Sequence, residues 1–286
     1  MALRLIKAKQ IQDRIIPWLL ALALVIFFLI FGSLIISIGI RGFPVLSLEL
    51  IFSLPKSGFY LGREGGIANA LVGSLIVSGC ATLLALAISL PLALFLNVYL
   101  KRNSRLKSVV TFCLDILWGI PSIVYGACGI LMILAFELSY SLLAAIIIVT
   151  LIEIPILTRG LDEIISFSPP ELLETGFALG ANYRQVAWRI VLRKIGKGII
   201  SPILLAFGRG IGDAAAVMLV AGFTDKMPTS LFKPVATLPL SIYYLVSSHL
   251  PEVRQKGYAG GLILIFLILT IASLSRLGAV RKNKIY

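Results

Sequence analysis

Apolar residues fall in long runs along this chain, such as Trp18 to Ile40 and Gly260 to Ala272. An α-helix needs runs of this length to cross about 30 Å of hydrocarbon at 1.5 Å per residue. The pattern predicts six transmembrane helices, whose ends are placed only to within a few residues, at about 16–40, 68–99, 107–135, 139–160, 198–222 and 258–279. The predicted fold class is therefore an all-α, polytopic membrane protein.

The composition supports this assignment, because 59% of the residues are hydrophobic and only 14% are charged. A soluble globular domain carries about 25% charged residues, so an ordinary soluble enzyme is excluded. The three cysteines lie inside apolar runs and form no CxxC pair, which favours small buried hydrophobes over a disulfide or a metal site. They are Cys80, Cys113 and Cys128.

The basic residues are distributed unevenly between the two sides of the predicted spans. Lysines and arginines number 26 against 13 acidic residues, and most of them fall in the termini and in alternate loops. The positive-inside rule places these segments, and therefore both termini, in the cytoplasm. The same bias explains the net charge of +13 without a nucleic-acid partner. The opposite side holds only Arg41, Lys56, Arg63, Lys226, Lys233, Arg254 and Lys256.

The loops on the two sides differ in character. Two outer segments, about 41–67 and 223–257, are rich in Pro, Gly and Ser, and the second includes an apolar stretch at 238–245. That stretch is predicted to form a short helix along the membrane surface. Only one cytoplasmic loop, about 161–197, is sizeable.

This cytoplasmic loop predicts two short helices joined at a glycine. Ser168 and Glu171 have the spacing of a capping box for the first helix. Gly180 can take the left-handed conformation that ends it. Asn182 offers a second N-cap, and a helix is expected to continue to about Ile195.

One face of these helices is apolar and needs a surface to pack against, for which a partner protein is a natural candidate. That face consists of Leu172, Leu173, Phe177, Ala178, Leu179, Val186 and Trp188.

The loop also resembles a known motif. Glu174-Thr175-Gly176, three residues, Gly180, nine residues and then Ile190-Val191-Leu192 match the spacing of the EAA loop of binding-protein-dependent ABC transporter permeases. The chain departs from the usual residues at Thr175 and Gly176, and at Arg193, where the motif has proline. The resemblance implies a coupling helix that docks into a groove of an ATPase subunit. The residues carried over to this coupling role are Glu174, Thr175, Gly176, Gly180, Ile190 and Leu192.

Two further segments are similar to those of phosphate-import permeases. The segment 119–126 reads G-I-P-S-I-V-Y-G, and 209–215 reads R-G-I-G-D-A-A. The resemblance covers about 68–279 and implies the type I ABC importer permease (MetI-like) fold. Residues 1–67 then form a tail, a first helix and an outer loop, 68–279 form the permease core with its coupling loop at 161–197, and 280–286 form a cytoplasmic tail.

The resemblance further implies the partners of an importer in the inner membrane of a prokaryote. These are two copies of an ATPase subunit (PstB-like), a second permease (PstC-like) and an external phosphate-binding protein (PstS-like), with the chain itself in the lipid bilayer. The sequence has no phosphate-binding P-loop, since Gly196-Lys197-Gly198 lacks the upstream glycine. We therefore expect no catalytic site, cofactor or metal on this chain.

Arg209 and Asp213 are the candidate residues of the substrate path. They lie four apart on a predicted helix, about 16 Å and 22 Å from its cytoplasmic start, where ionisable groups are costly. Arg209 can attract an oxyanion through charge-assisted hydrogen bonds, and Asp213 can accept a proton from a phosphate hydroxyl. The alternatives are a structural ion pair within the helix, or a bridge to the partner permease.

Other functions stay open at this point. A permease for another oxyanion, tungstate or molybdate, is the nearest alternative. A channel or a proton-coupled carrier can use the same two charges but has no use for a coupling loop. Residues 210–213 also read G-x-G-D, as in intramembrane aspartyl proteases, which need a second aspartate. Asp115 is the one candidate for it and lacks the preceding tyrosine of that family.

Overall fold

A computed structural model describes residues 2–56, 64–101, 103–196 and 198–280. In these ranges the chain is almost entirely helical, and four helices are long and apolar enough to cross a membrane. A fifth crossing is obtained if a bent pair of helices counts as one span. The chain is therefore a multi-pass helical membrane protein, as predicted, although the count of six spans is not confirmed.

The N-terminal part forms the first predicted span. Helix α1 (Ala2–Gly42) contains it, and a 3₁₀ turn (Phe43–Val45) and the short α2 (Leu48–Phe52) follow. The large apolar side chains of α1 are mostly exposed on this chain, so lipid or a partner must cover them. Near its end Gly42 packs directly on the backbone of Tyr258.

The second predicted span is confirmed over its full length. Helix α3 (Ala68–Leu94) continues into a π-helical turn (Phe95–Tyr99). Pro91 lies inside α3 and has no N–H to donate, and the wider turn follows it directly. Serines, alanines and a glycine on the buried face of α3 allow close packing against the next long helix.

The third predicted span, 107–135, is wrong as a single straight helix. It consists of α4 (Arg105–Gly119) and α5 (Ser122–Ala135), which meet at an angle of 92°. Ile120 precedes Pro121, and this position disfavours the helical conformation. The result is a broken span or a re-entrant segment.

The fourth predicted span is present but longer than expected. Helix α6 (Leu142–Ser166) starts at an N-cap in which Ser141 Oγ accepts from the amide of Ala144. It is the central element, since it packs against α3, α4, α5 and the fifth predicted span. Its C-terminal end extends six residues past the predicted boundary at 160.

The segment predicted to be the cytoplasmic loop then folds as a sequence of short helices. They are α7 (Pro170–Ala178), α8 (Tyr183–Gln185), a π-helical stretch (Val186–Val191) and α9 (Leu192–Ile195). We call residues 170–195 the knob.

The fifth predicted span, 198–222, is not one continuous helix. Helix α10 (Ile200–Ile211) stops after 12 residues, and after a break the short α11 (Ala215–Met218) follows. The left-handed Gly222 then turns the chain back along Pro234 and Tyr140.

The last part of the chain closes the bundle. Helix α12 (Leu238–Val246) forms where a short helix was predicted, and its position along the membrane surface stays a prediction. Its residues Leu238, Leu240 and Leu245 are buried, and the helix packs against α3 and α13 (Pro251–Val280), whereas Tyr243 and Tyr244 are exposed. Of the predicted tail at 280–286, residues 281–286 lie outside the described residues.

The cysteines correct another expectation, since all three are free and exposed on this chain. In a membrane helix an apolar run can face lipid or a partner as well as the core, so hydrophobicity alone does not predict burial.

Candidate functional site

Arg209 and Asp213 meet as predicted, although they do not share one helix. Nη1 of Arg209 donates to Oδ2 of Asp213 over 2.8 Å. Arg209 lies in the last turn of α10, and Asp213 lies in the break that follows Ile211. The two side chains thus bridge the end of the helix.

Asp213 has a second partner that fixes the break. Its Oδ1 accepts the backbone N–H of Ala216 at 2.9 Å, which holds the first turn of α11. Its side chain is only 2% exposed. Both carboxylate oxygens are therefore occupied in this conformation, and Asp213 acts on the backbone as well as on Arg209.

Arg209 is far more accessible than its partner. Its side chain is 42% exposed on this chain. A guanidinium carries five N–H donors, and the bond to Asp213 uses Nη1. The geometry therefore presents a cation at the end of a membrane helix, held in place by a buried carboxylate.

The two segments that resemble phosphate permeases come together at this break. Gly126 of α5 lies against the backbone of Ala216, where a Cβ would be 2.8 Å from the carbonyl oxygen. The hydroxyl of the neighbouring Tyr125 donates to the carbonyl of Leu117 in α4 and braces the bend. The close contact at Gly126 thus joins the bent pair of helices, α4 and α5, to the turn that Asp213 holds.

A third ionisable group lies beside this site and was not expected there. The predicted helix end at 160 placed Glu153 near the cytoplasm, where it would reach water. Because α6 continues to Ser166, Glu153 instead lies in the middle of the helix and is fully buried. Its carboxyl touches Gly210, immediately after Arg209.

Asp115 belongs to a different cluster, at the end of the bundle where α4, α6 and the π-helical turn after α3 meet. Nε of Arg159 donates to its Oδ1 over 2.9 Å, and Nη1 of Arg159 donates to Asp162 over 3.3 Å. Asp162 also accepts from Asn97 of the π-helical turn, whose side chain in turn accepts from Lys107 of α4. This network joins α4, α6 and the end of α3.

The ion pairs of Asp115 and Asp213 argue against the protease alternative. Asp115 binds Arg159 and Asp213 binds Arg209, so each carboxylate has its own cation. An aspartyl protease needs two carboxyl groups that share a proton.

The knob shows one predicted cap and lacks the other. Asn182 and Gln185 form a complete capping box at the start of α8. The box predicted for Ser168 and Glu171 is wrong, because α7 has Pro169 at its N-cap and no side-chain cap. Ser168 lies one position too early, since Pro170 is the first helical residue. Gly180 ends α7 with φ +78°, as predicted.

The predicted coupling residues occupy two layers of the knob. Glu174, Thr175 and Gly180 are exposed, whereas Gly176 is buried against Ile190 and Val186 of the second helix. Leu192 is half-buried. A Cβ at Gly176 would lie 2.8 Å from Cδ1 of Ile190, so the two helices pack at close range.

The apolar face of the knob is only partly covered by the chain itself. Val186 is fully buried, but Leu179 is 82% exposed and Trp188 45%. Leu179 and Trp188 are therefore two large apolar side chains of the knob that the chain itself leaves uncovered.

Four aromatic rings connect the knob to the end of α3. Phe177 and Tyr183 have ring centroids 5.0 Å apart, and Tyr183 stacks on Tyr99 at 5.4 Å. Tyr99 stacks in turn on Phe95 at 5.7 Å. We call these four residues the aromatic row. The row was not predicted from the sequence, because its central contact joins Tyr99 and Tyr183, which are about 80 positions apart.

The comparisons with known proteins agree with this architecture. The family described as binding-protein-dependent transport system inner membrane component matches residues 89–280. The chain is 30% identical over 246 residues to the phosphate transport system permease protein PstA of Yersinia pestis, which covers 85% of this chain and 81% of that protein. It is 29% identical over 268 residues to the probable phosphate transport system permease protein PstA of Methanocaldococcus jannaschii, which covers 92% of each chain.

Solved structures show the same fold. A chain of the bacterial alginate ABC transporter, in complex with its alginate-bound periplasmic protein, superposes with a TM-score of 0.64 at 17% identity. The match covers 96% of this chain and 98% of that one. A chain of the inward-facing MetNI methionine ABC transporter gives a TM-score of 0.60 at 18% identity, over 75% of this chain and 95% of that one.

Proposed function

Because the chain belongs to the binding-protein-dependent transport system inner membrane component family, we propose that it is a permease subunit that imports inorganic phosphate in an ATP-driven complex. One observation carries the choice of phosphate. The relatives named as phosphate transport permeases match across 85% and 92% of this chain, and so include the Arg209 region as well as the knob.

ATP hydrolysis is assigned to a partner. We propose two copies of a PstB-like ATPase, whose groove receives the knob and covers Leu179 and Trp188. The exposure of these side chains and the position of Gly180 at the tip support this placement. A PstC-like permease and a PstS-like phosphate-binding protein complete the assembly in the inner membrane, with both termini of this chain in the cytoplasm.

Arg209 is the proposed contact for the passing anion. Its half-exposed guanidinium supplies charge-assisted hydrogen bonds, which are the strong ones for a phosphate oxyanion. Asp213 is proposed to line the same path from the break. Its bonds to Arg209 and Ala216 favour a role in aiming the guanidinium over proton exchange with phosphate.

The aromatic row is proposed to carry motion from the knob to α3. Replacing Tyr183 by alanine removes two ring contacts, each worth about 0.5–1.5 kcal/mol beyond area burial. We expect phosphate uptake per ATP hydrolysed to fall several-fold, measured with the complete transporter in proteoliposomes. The matched variant Tyr183→Phe keeps the ring and therefore both ring contacts, and it should behave as wild type. Equal ratios in all three proteins would contradict the linkage.

Uptake of radiolabelled phosphate in cells lacking this chain tests the function. Wild-type complementation should restore uptake, and the ATPase partner should be needed for it. Normal phosphate uptake in the deletion strain would contradict the choice of phosphate and favour tungstate or molybdate. Uptake that persists without the ATPase would contradict the ABC mechanism.

A further inference from the structure

Glu153 is a buried acidic side chain that takes part in neither the Arg209–Asp213 ion pair nor the knob. It is 0% exposed, and neither carboxyl oxygen has a hydrogen-bond partner among the described residues. The side chain is enclosed by the helices of this chain, so a second subunit does not reach it in this conformation. Asp115 differs in this respect, because its side chain is 49% exposed.

The described residues around Glu153 leave space for its carboxyl group without forming a hydrogen bond to it. A Cβ at Gly210 would overlap Oε1 of Glu153, so a larger residue at that position of α10 would require the carboxyl group to move. On the other side lies Thr82 of α3, whose hydroxyl is also buried without a partner among the described residues. Three helices thus meet at two adjacent buried polar groups that have no hydrogen-bond partner among the described residues, although Thr82 is close enough to interact with the carboxyl group.

Such an arrangement is costly if it is permanent. A buried polar group that lacks its hydrogen bond loses its contacts with water without compensation, and an ionised one loses far more. A group of this kind that persists in a membrane helix indicates either a neutral acid or a partner that arrives in another conformation.

The charges on the packed helices limit what that partner can be. Neither α3 nor α5 has a charged residue, and α11 has none. Helix α10 has one, Arg209, next to Gly210. Arg159 lies six residues along α6 from Glu153, on another face, and is bound to Asp115 and Asp162. Lys107 of α4 is bound to the same Asp162.

The chain around Arg209 is suited to a change of position. Helix α10 ends two residues later, and a Cβ at Gly208 or Gly212 would meet only ordinary contacts, at 3.7 Å and 3.5 Å. Small residues at a helix break are where large backbone changes are absorbed.

We propose that Glu153 is a positioning residue and the alternating partner of Arg209, a neutral acid in this conformation and a carboxylate bound to Arg209 in another conformation of the transport cycle. When α10 turns, the O–H bond of Glu153 breaks and the proton passes to water in the path. When α10 repacks on Gly210, the carboxylate takes a proton back from water. This inference rests on the proposed function, since it assigns a step to the same arginine.

Infrared difference spectroscopy of the complete transporter tests the proton step. Spectra of the nucleotide-free and the vanadate-trapped complex should differ by the loss of one protonated carboxylic acid C=O band. The band change should be absent in Glu153→Gln and present in Glu163→Gln, a control on the exposed side of the same helix. The same band change in Glu153→Gln, or no acid band change in wild type, would overturn the proposal.

Transport provides a second measurement on the same variants. Glu153→Gln keeps the shape and neutrality of the acid but cannot ionise. We expect about tenfold slower substrate uptake, the size of one lost charge-assisted bond, with ATP hydrolysis retained. Uptake equal to the Glu163→Gln control would overturn the proposal. Vanadate trapping depends on ATP and not on phosphate. If the chain transports another oxyanion, the infrared change is therefore kept while the wild-type complex fails to import phosphate.

Discussion

Replacement of Arg209 by alanine is expected to reduce phosphate uptake about 100-fold, the larger of the two main effects that follow from this structure. The variant removes charge-assisted hydrogen bonds worth about 1.5–3 kcal/mol to the passing anion, and each 1.4 kcal/mol is a factor of ten in rate. It also leaves the carboxylate of Asp213 buried without its cation. Radiolabelled uptake by assembled complex is the measurement.

A second variant separates transport from folding. Arg209→Ala leaves the buried carboxylate of Asp213 without its cation, which destabilises the fold, so this variant alone can fail to assemble. The double variant Arg209→Ala with Asp213→Asn removes both charges. The side-chain amide oxygen introduced at position 213 can still accept from the N–H of Ala216. We expect normal assembly and no recovery of uptake. Wild-type uptake in the double variant would show that the pair is structural.

Replacement of Gly180 by proline is expected to uncouple the knob from the membrane helices. Gly180 has φ +78°, whereas proline is locked near −65°, so the turn between α7 and α8 cannot form. A Cβ there meets no atom within 4 Å, so the defect comes from the backbone conformation and from the loss of the N–H of Gly180, which donates to the carbonyl of Phe177 over 2.9 Å. We expect uptake to fall by about tenfold or more, since a break of this kind costs a few kcal/mol.

Two milder variants make this prediction specific. Gly180→Ala costs about 1–2 kcal/mol in the left-handed region and should give an intermediate loss. Gly196→Ala, at a helical glycine with ordinary contacts at 3.5 Å near the same loop, should be silent. The measurement is substrate-stimulated ATP hydrolysis together with uptake. A normal Gly180→Pro variant would mean that the turn does not transmit motion.

The sequence predicts the long helices well, because a membrane crossing depends mainly on a run of apolar residues. The second predicted span is confirmed over 68–99, and the knob has its Gly180 turn and its Asn182 capping box. These features depend only on neighbouring residues or on the length of an apolar run, and both can be read from the sequence.

The breaks within the apolar segments could not be read in the same way. The bend at Pro121 and the end of α10 at Ile211 lie inside segments whose average hydrophobicity is high enough to predict a span. Hydropathy does not distinguish a straight helix from a broken one. The second break is held by Asp213 through the amide of Ala216, a contact that depends on where the chain turns.

The position of Glu153 shows a second limit. Its expected contact with water followed from a helix end placed six residues too early. Its actual neighbours, Thr82 and Gly210, come from other helices 71 and 57 positions away in sequence. Tertiary packing alone brings these residues together, as it does the rings of Tyr99 and Tyr183.

The most direct test of the central claim is ATP-driven uptake by the purified complex in proteoliposomes, with phosphate supplied on its binding protein. The account predicts accumulation of radiolabelled phosphate that needs ATP, the ATPase subunit and Arg209, and that excess tungstate or molybdate does not replace. Accumulation without ATP, or uptake of tungstate or molybdate in place of phosphate, would contradict it.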